Sequence, residues 1–246
     1  MWSNHIKYHF FMRTHELVLS WIENELSEGR LTVGGRLPAE RTLAEQLKVS
    51  RTSVREAIRI LEAMGVVRAG VGSGPEAGTV VISDPTAALG SALRLHVATQ
   101  YLPVVDIVET RVLLESWAAS KARPDAPELK AAGALLDEMA AEGLAVDDFL
   151  ALDVRFHLAL ADAAGNAVVS AMMGSLRESI QGYAAQLTSN LPDWEDTASR
   201  LKSEHRAILA AIRNGDGEGA AKLVAAHIEG YYREAGLNQA EAREVP

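Results

Sequence analysis

The sequence predicts a mainly α-helical chain in two parts: three helices with a small β wing, then an all-α bundle of six or seven helices. Three observations carry that reading. Apolar residues recur at helical spacing along most of the chain, and β-like runs are confined to Val66-Val67-Arg68 and Thr79-Val80-Val81-Ile82. Ser83-Asp84-Pro85-Thr86 separates those runs from the helical remainder, because proline stops the strand and starts the next segment. Charge divides at the same place. Residues 1–85 hold 10 Lys+Arg and 10 Asp+Glu, whereas residues 86–246 hold 14 and 23, so the whole net charge of −9 lies in the second part.

The elements follow in order. Residues 1–12 form a ragged lead. Leu17, Trp21, Ile22 and Leu26 have the spacing of a helix, which Gly29 ends. Gly34-Gly35 make a loop before Leu37-Pro38. The next helix is expected from about Ala39 to Lys48, with Leu43, Ala44 and Leu47 on one face. After a short break at Lys48-Val49-Ser50, a third helix opens with Ser50 as its cap and runs from about Arg51 to Met64. Its apolar stripe is Val54, Ala57, Ile58 and Leu61, and Gly65 stops it. Two β-like runs around the Gly-rich AGVGSGPEAG then make a wing. Residues 13–83 are thus expected as one domain, 84–88 as a linker, 89–236 as the helical domain and 237–246 as a tail. Segments near 87–99, 103–122, 126–142, 146–164, 166–188, 193–214 and 216–234 all read as helices, and Asn166 after Gly165 reads as a cap.

Composition narrows the function. A chain of 246 residues with 48% hydrophobic content has room for two domains and a buried core. With no cysteine there is no disulfide framework, zinc finger or thiol chemistry. Lys7, His9 and Arg13 interrupt the N-terminal apolar run, and no window approaches the roughly 18 apolar residues of a membrane span. A cytoplasmic protein is expected.

Helix, tight turn and a polar, basic second helix are the parts of a helix-turn-helix. Residues 36–59 hold 6 basic and 3 acidic side chains, so this segment can approach phosphate while the acidic bundle is repelled. Arg51 and Arg55 lie one turn apart on one helix face, and a guanidinium can bond guanine bidentately. Thr52 and Ser53 offer short hydroxyls, and Arg41 on the preceding helix is placed to touch the backbone. Base contacts specify sequence, while phosphate contacts position the protein. A symmetric dimer on double-stranded, near-palindromic operator DNA is expected, one head per half-site.

A second constellation lies in the bundle. Asp153 and His157, four apart, share one helix face among Leu150, Phe156 and Leu160. His205 and His227 lie on later amphipathic helices. One carboxylate and three imidazoles suit a divalent transition metal, zinc first, with nickel and manganese as alternatives. Arg111 and Arg177 could clamp the carboxylate of a small effector, or form surface ion pairs.

The string LPAERTLAEQLKVSRTSVREAIRILEAMGVV resembles the winged helix-turn-helix of GntR-type bacterial repressors over residues 14–82. The resemblance implies that Arg41, Arg51 and Arg55 contact operator DNA, with Thr52, Ser53 and the wing residue Gly72 beside them. GVGSGPEAGTVV departs from the family's compact wing by several extra residues, including Pro75 and Glu76. Residues 87–234 are similar to the FCD effector domain of the FadR subfamily, in which Asp153, His157, His205 after Glu204, and His227 fill the metal positions. That similarity implies a metal-assisted cavity for a small organic acid or sugar acid, and argues against fatty acyl-CoA. The reading is a ligand-responsive transcriptional regulator, a repressor, without enzymatic activity. The competing readings are a metal-dependent enzyme with an N-terminal nucleic-acid-binding module, and a structural DNA-binding protein with no ligand.

Overall fold

The computed structural model describes residues 13–70 and 78–237. The chain divides into two compact units between Ala88 and Leu89.

The first unit contains α1 (Thr14–Ser27), α2 (Glu40–Leu47), α3 (Arg51–Ala63), β1 (Val67–Gly70) and β2 (Gly78–Val81). The helical stripes predict its core: Val18 and Ile22 of α1, Leu43 of α2 and Val54 and Ala57 of α3 are each fully buried. Burying a Val- or Ile-sized side chain contributes about 1.5–3 kcal/mol, so the four larger ones outweigh the weak helix propensity of these short segments. The break between α2 and α3 is a left-handed residue, Lys48 at φ 54°, followed by Ser50, whose Oγ accepts the Ser53 amide at 3.0 Å. That cap satisfies an otherwise unpaired helix-start donor.

The strands pair antiparallel, Val67 opposite Val81 and Gly70 opposite Gly78. Arg36 bridges to Val80, and the Leu37 amide donates to the Thr79 carbonyl at 2.8 Å, so the segment before α2 lines the sheet. Gly65 between α3 and β1 has φ +69°, and a Cβ there would lie 2.0 Å from the Asp84 carbonyl oxygen. The chain can leave the third helix and return past Asp84 only with glycine at that point. Gly72 and Ser73, expected in the wing, lie outside the described residues.

After the strands come α4 (Pro85–Ala98), α5 (Val104–Lys121), α6 (Glu128–Met139), α7 (Val146–Ala163), α8 (Ala167–Ser179), α9 (Gln181–Thr188), α10 (Trp194–Arg213) and α11 (Gly217–Glu234). Of residues 84–88, expected as linker, 85–88 are the first turn of α4. Proline suits that position because a first-turn residue has no helical acceptor for its missing N–H. The helix expected over 166–188 is two helices. Asn166 caps the first by accepting the Val168 and Val169 amides, and Ile180, at φ −113° and ψ 9°, ends it. The nearest local breaker is Gly182, in the first turn of α9, and Ile180 is buried at the point where the chain turns. Eight helices therefore follow the strands among the described residues, one more than the upper expectation.

The second core gathers Phe149, Phe156, Met139, Ile208 and Ile212, each almost wholly buried. Helix α5 packs against α7, α8 and α11, and α10 packs against α11. These five helices supply every side chain of the histidine cluster and of the buried ion network around it.

Candidate functional site

The first unit presents a polar face on α2 and α3. Arg41, Arg51, Thr52 and Arg55 are exposed, and Ser53 is half-buried beside its cap. Arg51 and Arg55 share a face, as their spacing predicts, because both reach one carboxylate. Arg55 Nε donates to Glu40 Oε2 at 2.8 Å, and Arg51 Nη2 lies 3.7 Å from the same oxygen. Ser53 Oγ lies 2.9 Å from Ser50 Oγ, which ties its hydroxyl to the helix start. Arg41 has only a long pairing to Glu45, at 3.9 Å.

In the second unit the four residues singled out by sequence come together. Ligand atoms of Asp153, His157, His205 and His227 lie within 4.8 Å of one another. Helix α7 supplies Asp153 and His157, α10 supplies His205, and α11 supplies His227. All three histidines are buried, although imidazole ordinarily prefers a wetter position. The imidazoles turn their Nε2 atoms toward a common centre. His227 Nε2 is 3.3 Å from His157 Nε2 and 3.2 Å from His205 Nε2, while Asp153 Oδ1 lies 3.0 Å from His205 Nε2 and 3.6 Å from His157 Nε2.

The outward nitrogens explain that orientation. His157 Nδ1 lies 2.8 Å from Glu115 Oε2, and His227 Nδ1 lies 2.8 Å from Glu204 Oε2. A carboxylate there accepts the Nδ1 proton and leaves the Nε2 lone pair facing inward. Burial acts first on His205 and His227 and lowers both below the ordinary imidazole value, so both are held neutral. His205 Nδ1 is buried without a hydrogen-bond partner.

Neutral lone pairs packed against each other gain nothing from one another, whereas a cation at their centre satisfies them all. Bonds of about 2.0–2.1 Å to a metal place two nitrogens from about 2.8 Å apart at octahedral angles to about 3.4 Å apart at tetrahedral ones. The two nitrogen separations, 3.3 and 3.2 Å, fall in that interval, and the donor set of three imidazoles and a carboxylate suits a transition metal. The residues fit the group.

Glu115 of α5 is the functional residue that sequence reasoning missed. It is buried, and besides His157 it accepts Arg111 Nε at 2.8 Å, Arg177 Nε at 3.1 Å and Arg177 Nη2 at 2.7 Å. Burial pushes its carboxyl up, but Arg177, Arg111 and His157 outweigh that and hold it well below the usual range. The same balance holds Asp153 low, against its burial, through His157, His205 and Arg177. Arg111 and Arg177, expected either as effector contacts or as surface pairs, are both buried, which removes the surface alternative. All three guanidinium nitrogens of Arg177 are bonded, the third donating to Asp153 Oδ2 at 2.9 Å. Arg111 Nη1 donates to the Tyr232 hydroxyl at 2.7 Å, which leaves Nη2 outside these bonds.

A cavity of about 340 Å³ opens beside the cluster, with Asp153, His227, Arg111, Arg177, Gln181 and Tyr232 in its wall. That volume lies at the low end of the roughly 300–1,000 Å³ typical of small-molecule sites.

Comparison with known proteins decides the family. The model described as "Bacterial regulatory proteins, gntR family" matches residues 15–76, and the FCD domain model matches residues 106–230. The chain belongs to the GntR family and carries an FCD domain. This GntR/FCD chain is 30% identical over 221 residues to the HTH-type transcriptional regulator LutR of Bacillus subtilis, covering 85% of the chain and 98% of that protein. It is 32% identical over 209 residues to an Escherichia coli K12 protein with the provisional name L-lactate dehydrogenase operon regulatory protein, covering 82% and 79%. The solved structure of Streptococcus agalactiae GntR is similar at 26% identity and a TM-score of 0.64, covering 90% of this chain and 99% of that one. The protein is a transcriptional regulator of the GntR/FCD type, and such regulators bind operator DNA. Among the described residues no helix is long and apolar enough to cross a membrane.

Proposed function

We propose that this regulator is a repressor whose FCD domain binds a divalent transition metal and a small carboxylate effector. Asp153, His157, His205 and His227 hold the metal, with zinc first and nickel and manganese as alternatives. The observation that carries the reading is the convergence of three buried Nε2 atoms and one carboxylate on a point beside a cavity.

When bound, the metal supplies positive charge and a Lewis-acidic contact for an anionic oxygen. The chain's own residues prepare the rest. Glu115 and Glu204 fix the tautomers of His157 and His227, and Arg177 fixes Asp153 and Glu115. The buried Glu115 and the half-buried Asp153 cancel the two buried guanidiniums in formal charge. A divalent cation added to that balance leaves an excess of positive charge facing the cavity, which an anion neutralises. Arg111 Nη2, unspent on Glu115 and Tyr232, is the donor best placed to meet a carboxylate. The small cavity favours a short hydroxy acid, a dicarboxylate or a sugar acid over a long acyl chain. The provisional name of the Escherichia coli relative, which refers to L-lactate dehydrogenase, points in the same direction.

In the DNA-reading head, Arg51 and Arg55 contact base edges, Thr52 and Ser53 sit beside them, and Arg41 contacts the phosphate backbone. Gly72 of the wing is part of the same expected set. The chain works as a homodimer with one head per half-site. Effector binding regulates DNA affinity because the acid binds one arrangement of the dimer more tightly than the other. Thermal-shift measurement on the metal-loaded protein against L-lactate, sugar acids and dicarboxylates tests the effector class. One class should raise the melting temperature of loaded protein and leave His157→Ala unchanged. An equal rise in both would remove the metal from the effector site.

A further inference from the structure

Each recognition arginine of the head has the same acidic neighbour. Glu40 opens α2, and its Oε2 accepts Arg55 Nε at 2.8 Å while lying 3.7 Å from Arg51 Nη2. The two side chains come from the first and second turns of α3, and the carboxylate comes from a different helix. The arginines are more than half exposed, at 59% and 57%, and Glu40 is half-buried at 34%. A negative charge in this place works against DNA affinity, since the basic segment around it is what approaches phosphate. Its position between two exposed guanidiniums therefore calls for a compensating role.

The atom used shows what that role is. Glu40 takes Arg55 at Nε, the inner nitrogen, and the terminal Nη1 and Nη2 are outside that bond. The terminal pair is one fork with which arginine bonds O6 and N7 of guanine. An exposed arginine otherwise samples many rotamers and loses that freedom on binding. A carboxylate bonded to Nε orients the guanidinium plane before DNA arrives and leaves the reading edge open. The same oxygen draws Arg51 toward Arg55, which sets the spacing of the two readers.

We propose that Glu40 is a positioning residue for base readout: it holds Arg55, and more loosely Arg51, in reading geometry and so raises sequence discrimination while lowering non-specific affinity. This rests on the reading of α3 as the recognition helix. The partner is guanine-containing duplex DNA in the major groove.

The two halves of the role separate by substitution. Glu40→Gln keeps an oxygen that accepts from Arg55 Nε and removes the charge. Glu40→Ala removes both. The full chain and its variants would be used to select from a pool of short duplexes randomised at every position, and affinity for an unselected duplex would be measured over a range of salt. Both variants should bind the unselected duplex more tightly than the parent. Glu40→Gln should keep the parent's base preferences. Glu40→Ala should relax preference at the Arg55-dependent position by about fivefold, the low end of one bidentate contact's worth. Arg55→Ala identifies that position by losing its preference. A Glu40→Ala protein with the parent's preferences, beside an Arg55→Ala protein that has lost one, would overturn the proposal alone. An Arg55→Ala protein with every preference intact would overturn the recognition-helix reading beneath it. Unchanged melting temperature in Glu40→Gln separates these outcomes from a folding defect.

Discussion

The two units use the same pair of groups, carboxylate and guanidinium, in opposite settings. In the head, Glu40, Arg51 and Arg55 meet at the surface, where water competes for every bond. In the bundle, Glu115, Arg111 and Arg177 meet almost without exposure. An exposed pair contributes little to stability and can exchange its partner for a phosphate or a base. A buried pair carries a large desolvation cost, is repaid only while every partner is present, and is therefore rigid. A DNA-reading face requires the first kind of pairing, and a ligand frame requires the second.

The largest expected effect is on the buried side. Glu115→Ala strips Arg177 of two bonds, Arg111 of one and His157 of its Nδ1 acceptor. Loss of one partner from a buried ion network costs about 3–5 kcal/mol, which denaturant titration of the metal-free protein would read. A loss no larger than that of an ordinary surface substitution would mean the network is wetter than its burial indicates. Next in size, Glu204→Ala leaves the four candidate ligands in place and removes the acceptor on His227 together with one bond from Arg200, which keeps Glu234. Metal affinity in a chelator competition should weaken about 10–100-fold. Equal affinity in variant and parent would separate Glu204 from the metal centre.

On the exposed side the expected losses are in binding. Arg51→Ala should lose about 1–3 kcal/mol of discrimination in gel-shift titration, with an unchanged melting temperature. Full retention of preference would place base readout elsewhere. Smallest of all, Glu45→Ala removes only the 3.9 Å partner of Arg41. It should leave stability unaltered and slightly strengthen DNA binding at low salt, an increment that vanishes as salt screens the charge. An increment that persists at high salt would point to a shape change instead of a charge effect.

The contrast also explains what the sequence made legible. The helix-turn-helix was readable because its information is local: the stripe of Val54, Ala57, Ile58 and Leu61, the Ser50 cap and the paired arginines all lie within one short window. Asp153 and His157 were readable as a pair because one helix carries both. Their meeting with His205 and His227 was expected by likeness to the family, since no spacing rule spans three helices. Glu115 was missed because Arg111 and Glu115, four apart, look like an ordinary surface pair. One signal was available. Val108, Arg111, Glu115 and Ala118 follow the spacing of a single buried stripe, so both charges occupy core positions. The break at Ile180 left only a weak trace, a single glycine at Gly182, because a lone glycine does not by itself end a helix and the turn depends on how Ile180 is buried.

The account turns on whether the converging imidazoles hold a metal. Elemental analysis of the purified native protein, beside its His157→Ala variant, addresses that directly. The account predicts about one transition-metal ion per chain in the native protein and a sharp loss in the variant, with duplex binding by the head retained. Native protein that stays metal-free after loading with zinc, nickel and manganese, or a variant with the parent's metal content, would contradict it.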